Sequence, residues 1–268
     1  ASVTDGTGSG VARVVFSVNG APKATLGQPP FEMPLEAPEG VASGETITVS
    51  VQAFDLAGNA SEPVSRAVAV VSEGVVTGHV LADETSLPLA GATVRMTAAG
   101  TDPVTTDARG RYALPAESAT ALVVAEAPGR TSVERELPVA VGAGSVPVDA
   151  RLTLLAEPVT LGAGDTTLTA RRGHRLDVLV PPGAAAAGEK ARLTGLSPQG
   201  LPGLLPLGWS PLFSFDLRAD GGVALGGPLT ATVTAESPVA GASFPGWPDG
   251  PVSLAEYRPA LHAWVTVE

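Results

Sequence analysis

The sequence predicts an all-β chain of antiparallel β-sandwich modules in tandem, and three observations carry that expectation. Apolar and polar residues alternate with a period of two through most of the chain, as half-buried strands require. Helical periodicity is nearly absent. The 32 Gly and 25 Pro among 268 residues fall mostly between the alternating runs, where tight turns need them. With 44% hydrophobic residues the chain can fill cores, which separates it from disordered Pro/Gly-rich sequence. Only 4% are aromatic, so those cores must be Val, Leu and Ala with a few large anchors.

The first module spans 1–71. An Asp/Gly-rich entry, Thr4-Asp5-Gly6-Thr7-Gly8-Ser9-Gly10, leads to a strand in which Val14, Phe16 and Val18 share a face, ending at Asn19-Gly20. A second strand puts Ile47, Val49, Val51 and Ala53 on one face and Thr46, Thr48, Ser50 and Gln52 on the other, then enters Phe54-Asp55-Leu56-Ala57-Gly58-Asn59. Two such apolar faces are expected to close on each other as a sandwich. This pattern resembles bacterial immunoglobulin-like domains, which implies a module strung in series on secreted or surface proteins. The break Ser72-Glu73-Gly74 is a very short linker.

The second module, 73–156, opens with Val76, Gly78 and Val80. It continues with Pro88-Leu89-Ala90-Gly91-Ala92-Thr93-Val94 and then Thr106-Asp107-Ala108-Arg109-Gly110-Arg111-Tyr112. Asp107 can cap that turn, Gly110 supplies a positive φ and Tyr112 anchors the core. Val123, Ala125, Val133, Leu137, Leu152 and Leu154 complete the expected buried set. The two motifs, in this order, resemble the carboxypeptidase regulatory-like domain, which implies a transthyretin-like sandwich of about seven strands. Such modules accompany enzymes, so accessory domains of a secreted peptidase or glycosidase are one alternative.

The third module, 157–268, contains the alternating strand His174-Arg175-Leu176-Asp177-Val178-Leu179-Val180 running into Pro181-Pro182-Gly183-Ala184. That junction resembles the start of the domain found in zona-occludens, netrin-receptor and ankyrin proteins, implying a third β-sandwich. Further strands are expected around Phe213, Phe215 and Leu217 and around Leu229, Ala231 and Val233. Between Leu196 and Pro211 lies a loop with five Leu and Trp209. It resembles segments of large bacterial proteins with rearrangement-hotspot (RHS) or tyrosine-aspartate repeats. The chain starts without Met and stops in a strand-like run, so it is expected to be a piece of a longer protein, its third module truncated and its export signal elsewhere.

Composition removes several function classes. Sixteen Lys and Arg against 27 Asp and Glu give a net charge of −11, which opposes nucleic acid and anionic lipid surfaces. No apolar run approaches the 18 residues of a membrane-spanning helix, so no membrane insertion is expected. Without cysteine there is no disulfide and no thiolate metal site. No nucleophile elbow and no His-Glu-x-x-His occurs, and Gly6-Thr7-Gly8-Ser9-Gly10 lacks the Lys-Ser/Thr and the helix of a phosphate loop. Of the three histidines, His79 is expected to face solvent, His174 to lie on a basic rim and His262 to pack on Trp264. Asp177 is expected on a solvated face, and Asp83, Glu84 and Asp165 in ordinary loops.

No catalytic, cofactor-binding or metal residue is therefore assigned. One ionic alternative stands: Asp5, Asp55 and Asn59 can meet at one pole of the first module as a weak calcium site, or simply bond their own turns. Trp209 and Trp264 are expected as core anchors and Trp247 as a plug for a Pro/Gly loop. Exposed, they and the tyrosines would make a carbohydrate- or peptide-binding surface. The expected function is non-enzymatic: a structural, spacer or adhesive region of a large exported bacterial surface or toxin-like protein. Its partners would be other domains of the same chain and a protein or carbohydrate ligand, with an extracellular or cell-surface location.

Overall fold

The computed structural model describes residues 3–6, 8–33, 35, 37–42, 44–70, 74–97, 102–116, 122–136, 145–186, 188–220, 225–235 and 253–267. The protein is all-β, with no helix among the described residues. It divides into two compact units, Ala1–Gly74 and Val75–Glu268.

In the first unit, β1 (Val11–Val18), β2 (Ala21–Leu26), β3 (Thr46–Asp55) and β4 (Val64–Ala69) form one antiparallel sheet in the order β2-β1-β3-β4. The register places Val14 opposite Ala53, Phe16 opposite Val51 and Val18 opposite Val49. The two apolar faces read from the sequence are thus a single face of one sheet, not opposing layers. Among the described residues its cover is chain outside the strands: Phe31 packs on Val14 and Phe16, and Val41 on Val18 and Ile47. The reason is pairing: strands that share a ladder must present matched faces on the same side.

The second unit begins with two sheets around one core. β6 (Thr93–Met96), β7 (Val104–Thr105), β9 (Leu122–Glu126) and β10 (Val133–Glu136) run in the order β10-β9-β6-β7. Facing them is β5 (Gly74–Ala82), bordered by β8 (Arg111–Ala116), β11 (Ser145–Pro147) and β12 (Ala150–Leu152). Val80, Val94, Leu114, Val133 and Leu152 are fully buried between the layers, with Tyr112 as the large anchor. Contrary to antiparallel pairing throughout, β11 and β12 pair with β5 in parallel. Between them, Val148 donates its N–H to Thr77 and the Asp149 carboxylate takes the His79 N–H, so the ladder is bridged across a break. Leu154 is 55% exposed, outside the core where alternation had placed it. Leu137 lies outside the described residues.

The remaining strands are β13 (Val159–Thr160), β14 (Thr166–Arg172), β15 (His174–Val180), β16 (Lys190–Leu196), β17 (Ser214–Ala219), β18 (Thr230–Ala235), β19 (Leu254–Arg258) and β20 (Ala263–Val267). They give two three-stranded sheets, β13-β16-β17 and β14-β15-β18, and the hairpin β19-β20. Leu168, Leu176, Val178, Val180 and Leu193 fill the space between the sheets, with Phe213, Phe215 and Val233 at its margin. Ala184, closing the Pro-Pro-Gly-Ala turn, is buried in the same core and accepts the Gly226 N–H through its carbonyl.

Candidate functional site

Two hydrogen-bonded knots of charged and polar side chains lie on the seam between the β5–β12 and β13–β20 halves of the second unit. One knot centres on Asp83, the residue after β5, whose side chain is 2% exposed. Its Oδ2 accepts from Thr153 Oγ1 at 2.9 Å and from Arg172 Nη2, at the end of β14, at 2.8 Å. Its Oδ1 accepts from Ser197 Oγ, just past β16, at 2.5 Å. Ser197 Oγ in turn accepts the Gly200 N–H. A Cβ at Gly200 would stand 2.6 Å from Thr153 Oγ1, so glycine is what lets this turn reach the carboxylate. A buried carboxylate with three donors is a satisfied charge. Asp83 lies in a turn, as expected, but it is a buried charge and not an ordinary loop one.

The neighbouring Glu84 is also engaged. Its carboxylate takes the Leu154 N–H and Arg130 Nη1, while Arg130 also donates to the Leu152 carbonyl at 2.8 Å. Burial alone would raise the Glu84 carboxyl, and the Leu154 amide and Arg130 outweigh it and hold it below its ordinary value.

The second knot is on β10. The Glu134 N–H donates to the Pro202 carbonyl at 2.6 Å, and the Arg135 guanidinium donates to the carbonyls of Leu201 (3.0 Å) and Gln199 (2.9 Å). Burial pulls the Arg135 guanidinium below its usual value, with Tyr257 acting the other way. Glu134 Oε2 accepts from Tyr257 Oη at 2.6 Å and lies 2.7 Å from His262 Nδ1. Burial first, and then Glu134, pushes the Tyr257 hydroxyl up. Tyr257 packs edge-on to Trp264 at 5.5 Å, and Trp264 Nε1 donates to the Gly203 carbonyl. His262 therefore sits in the β19–β20 turn with its imidazole on Glu134. That turn gives it a φ of 48°.

These two knots grip the loop after β16 at its start, so Leu201 is buried at 3% exposure. Beyond Gly203 the loop leaves the seam: Leu204 is 69%, Leu207 104% and Trp209 43% exposed. Trp209 is thus a surface residue, a correction to its expected place as a core anchor. Trp264 is half-buried in the seam, and Trp247 lies outside the described residues.

The other residues singled out from sequence are dispersed. His79 is exposed with Nδ1 3.4 Å from Asp149, and His174 opens β15. Asp177 accepts from Thr169 Oγ1 at 2.6 Å and pairs with Arg175 on the outward face of β15, contacts that hold its carboxyl down. In the first unit, the Leu56 N–H bonds the Gly10 carbonyl and the Ala57 N–H bonds Ser9 Oγ, which brings the Asp5 and Asp55 turns together. Each carboxylate is nevertheless engaged within its own turn, Asp5 by the Gly10 N–H and Asp55 by the backbone and side-chain amides of Asn59. Among the described residues no three His, Asp or Glu side chains are grouped to hold a metal. An open cleft of about 410 Å³ is lined by Thr93, Glu126, Pro128, Arg130, Ser132 and Arg218. Its arginines are engaged by Glu84 and Asp216.

Sequence reasoning missed the seam. A signal for it existed at Arg135: on β10 it shares parity with Val133 and faces core residue Val123, and a charge at a core-parity position asks for a buried partner.

A β-sandwich with a Tyr-anchored core, a capped Asp107–Arg111 turn and Gly110 at φ 70° is the geometry in hand for the segment after Gly74. Residues 75–153 match the carboxypeptidase regulatory-like domain. The matched segment folds here as a β-sandwich and supplies Asp83, Glu134, Arg135 and Thr153 to the seam. No curated protein matches the chain. Among solved structures, the group B streptococcus pilus 2b backbone protein aligns at 15% identity over 43% of this chain and 53% of its own, with a TM-score of 0.26. The Bacillus anthracis TIE protein aligns at 12% identity over 80% of this chain and 49% of its own, also at 0.26. The chain spans about half the length of each.

Proposed function

We propose that this chain is a non-enzymatic structural region of a larger exported bacterial surface or toxin-like protein, a stiff spacer that transmits position and tension between parts lying elsewhere. The observation that supports this most is the seam. The carboxypeptidase regulatory-like domain and the β-strands after it are joined by a buried carboxylate with three donors and a guanidinium clamped on backbone carbonyls. A flexible tether has no use for such a joint, whereas a spacer that must hold a fixed geometry does. Ladders bonded along their length resist shear, because every inner backbone group is already paired.

Pulling the whole chain from its two ends tests this reading. The second unit is expected to give way as one event, releasing about 640–700 Å of chain. Separate release of about 270–295 Å from the carboxypeptidase regulatory-like half would mean that the seam does not carry load.

A second reading is favoured by one observation, the exposure of Leu204, Leu207 and Trp209. Three large apolar side chains on a loop whose base is pinned at Leu201 and Gly203 form a presented patch, which suits an apolar peptide or the face of a sugar. Titrating the chain with oligosaccharides and following Trp fluorescence tests it. Saturable quenching lost in Trp209→Ala supports binding, and an unchanged signal removes it.

A further inference from the structure

The two edges of the first unit's sheet are built differently. The β2 edge carries Pro22 and Lys23, and its register shifts between Phe16 and Ser17, all devices that discourage another strand from adding there. The β4 edge has neither a proline nor a register shift, and its single charge is Arg66, opposite Val49. All six of its residues, Val64 to Ala69, are exposed.

The hydrogen-bond phase of this edge follows from its neighbours. The Val70 N–H donates to the Glu45 carbonyl, and β3 pairs Ile47 with Val68, Val49 with Arg66 and Val51 with Val64. In an antiparallel ladder the bonded positions repeat every second residue, so Val64, Arg66 and Val68 face β3. The N–H and C=O groups of Ser65, Ala67 and Ala69 therefore project off the sheet. On the inner face, which Arg66 shares, Val64 and Val68 are 74% and 39% exposed, so the cover over this core stops short of the edge.

We propose that β4 is a self-association edge that takes the β4 strand of a second copy of this chain, antiparallel, about a twofold axis through Ala67. That register sets Ala67 against Ala67, Ser65 against Ala69 and Arg66 against Val68, and it pairs all the outward groups of Ser65, Ala67 and Ala69. A twofold through Arg66 would instead oppose two like charges. In the Ala67 register the Arg66 stem lies along the exposed Val68 of the other copy. The occupant is a second copy because the edge is self-complementary in this one register. One strand pair buries much less than the roughly 1,600 Å² of a standard interface, so the dimer is weak and gains strength where copies are crowded.

The absence of cysteine makes the test clean. Across a bonded antiparallel pair the Cα atoms stand about 5.5 Å apart, within disulfide range. In the full chain, Ala67→Cys is expected to form a covalent dimer under mild oxidation several-fold faster than Leu56→Cys, a site that is also exposed but away from the edge. Sedimentation of the unsubstituted chain between ~10 μM and ~1 mM should show monomer passing to dimer. Ala67→Pro, which removes an outward N–H without touching the β3 ladder, and Ala67→Lys should both stay monomeric with an unchanged melting temperature. Equal cross-linking at the two cysteine positions, a monomer throughout the range, or a dimer that survives in folded Ala67→Pro would each overturn the proposal.

Discussion

Removing the Asp83 carboxylate should destabilise both halves of the second unit together. In Asp83→Ala, Thr153 Oγ1 and Ser197 Oγ lose an ionic acceptor inside the seam, and Arg172 loses the partner 2.8 Å away. Breaking a buried ion pair from one side costs about 3–5 kcal/mol. Arg172 is 31% exposed and can turn to water, which places this case at the low end, about 3 kcal/mol. For a unit of this size that is a fall of about 6–12 °C in melting temperature. The readout separates the halves, because the substitution lies in the 75–153 segment while Trp209, Trp247 and Trp264 all lie beyond it. In urea denaturation followed by Trp fluorescence, the midpoint of the variant should drop. If the tryptophan midpoint stays put while the circular dichroism of the remainder shifts, the two halves fold independently and the reasoning fails.

Gly78→Ala would set a Cβ 1.9 Å from the Val148 carbonyl oxygen, a backbone atom fixed by its place between β11 and β12; a loss of about 3 kcal/mol or more, seen as a lowered urea midpoint, is expected. Acid should weaken the second unit in a defined window. Glu84 and Asp177 are held below their ordinary 4.5 and 3.8, so the stability they contribute is present above those values and is lost as pH falls through the lower folded ones. The melting temperature should be flat near neutrality and fall below pH 4.5, and less steeply for Glu84→Gln. In the first unit, Asp5 and Asp55 are already bonded within their turns, so millimolar calcium should leave its melting midpoint unchanged; a rise would restore the calcium reading.

The strands were legible because alternation is a local property. Val14, Phe16 and Val18, and likewise Leu176, Val178 and Val180, are buried as their spacing requires. Turn chemistry was legible for the same reason: Asp107 takes the Arg109 and Arg111 amides, and Gly110 has the positive φ its turn needs. Pairing was not legible. That β1 and β3 lie in one sheet, or that β11 and β12 join β5 in parallel, depends on contacts between distant segments that no local period encodes. The seam was hidden for a related reason. Asp83 and Ser197 are 114 residues apart, and each alone reads as an ordinary turn residue. His262 and Trp264 stand two apart and were expected together, yet the turn puts the imidazole on Glu134 and leaves the indole to Tyr257.

Native-state hydrogen exchange across the second unit tests the claim that its two halves are one cooperative body. The amides of Val123, Val124 and Ala125 on β9 and those of Leu176, Val178 and Leu193 on β15 and β16 should open with a common free energy and a common denaturant slope. Two distinct opening free energies, divided between residues before and after 156, would contradict it.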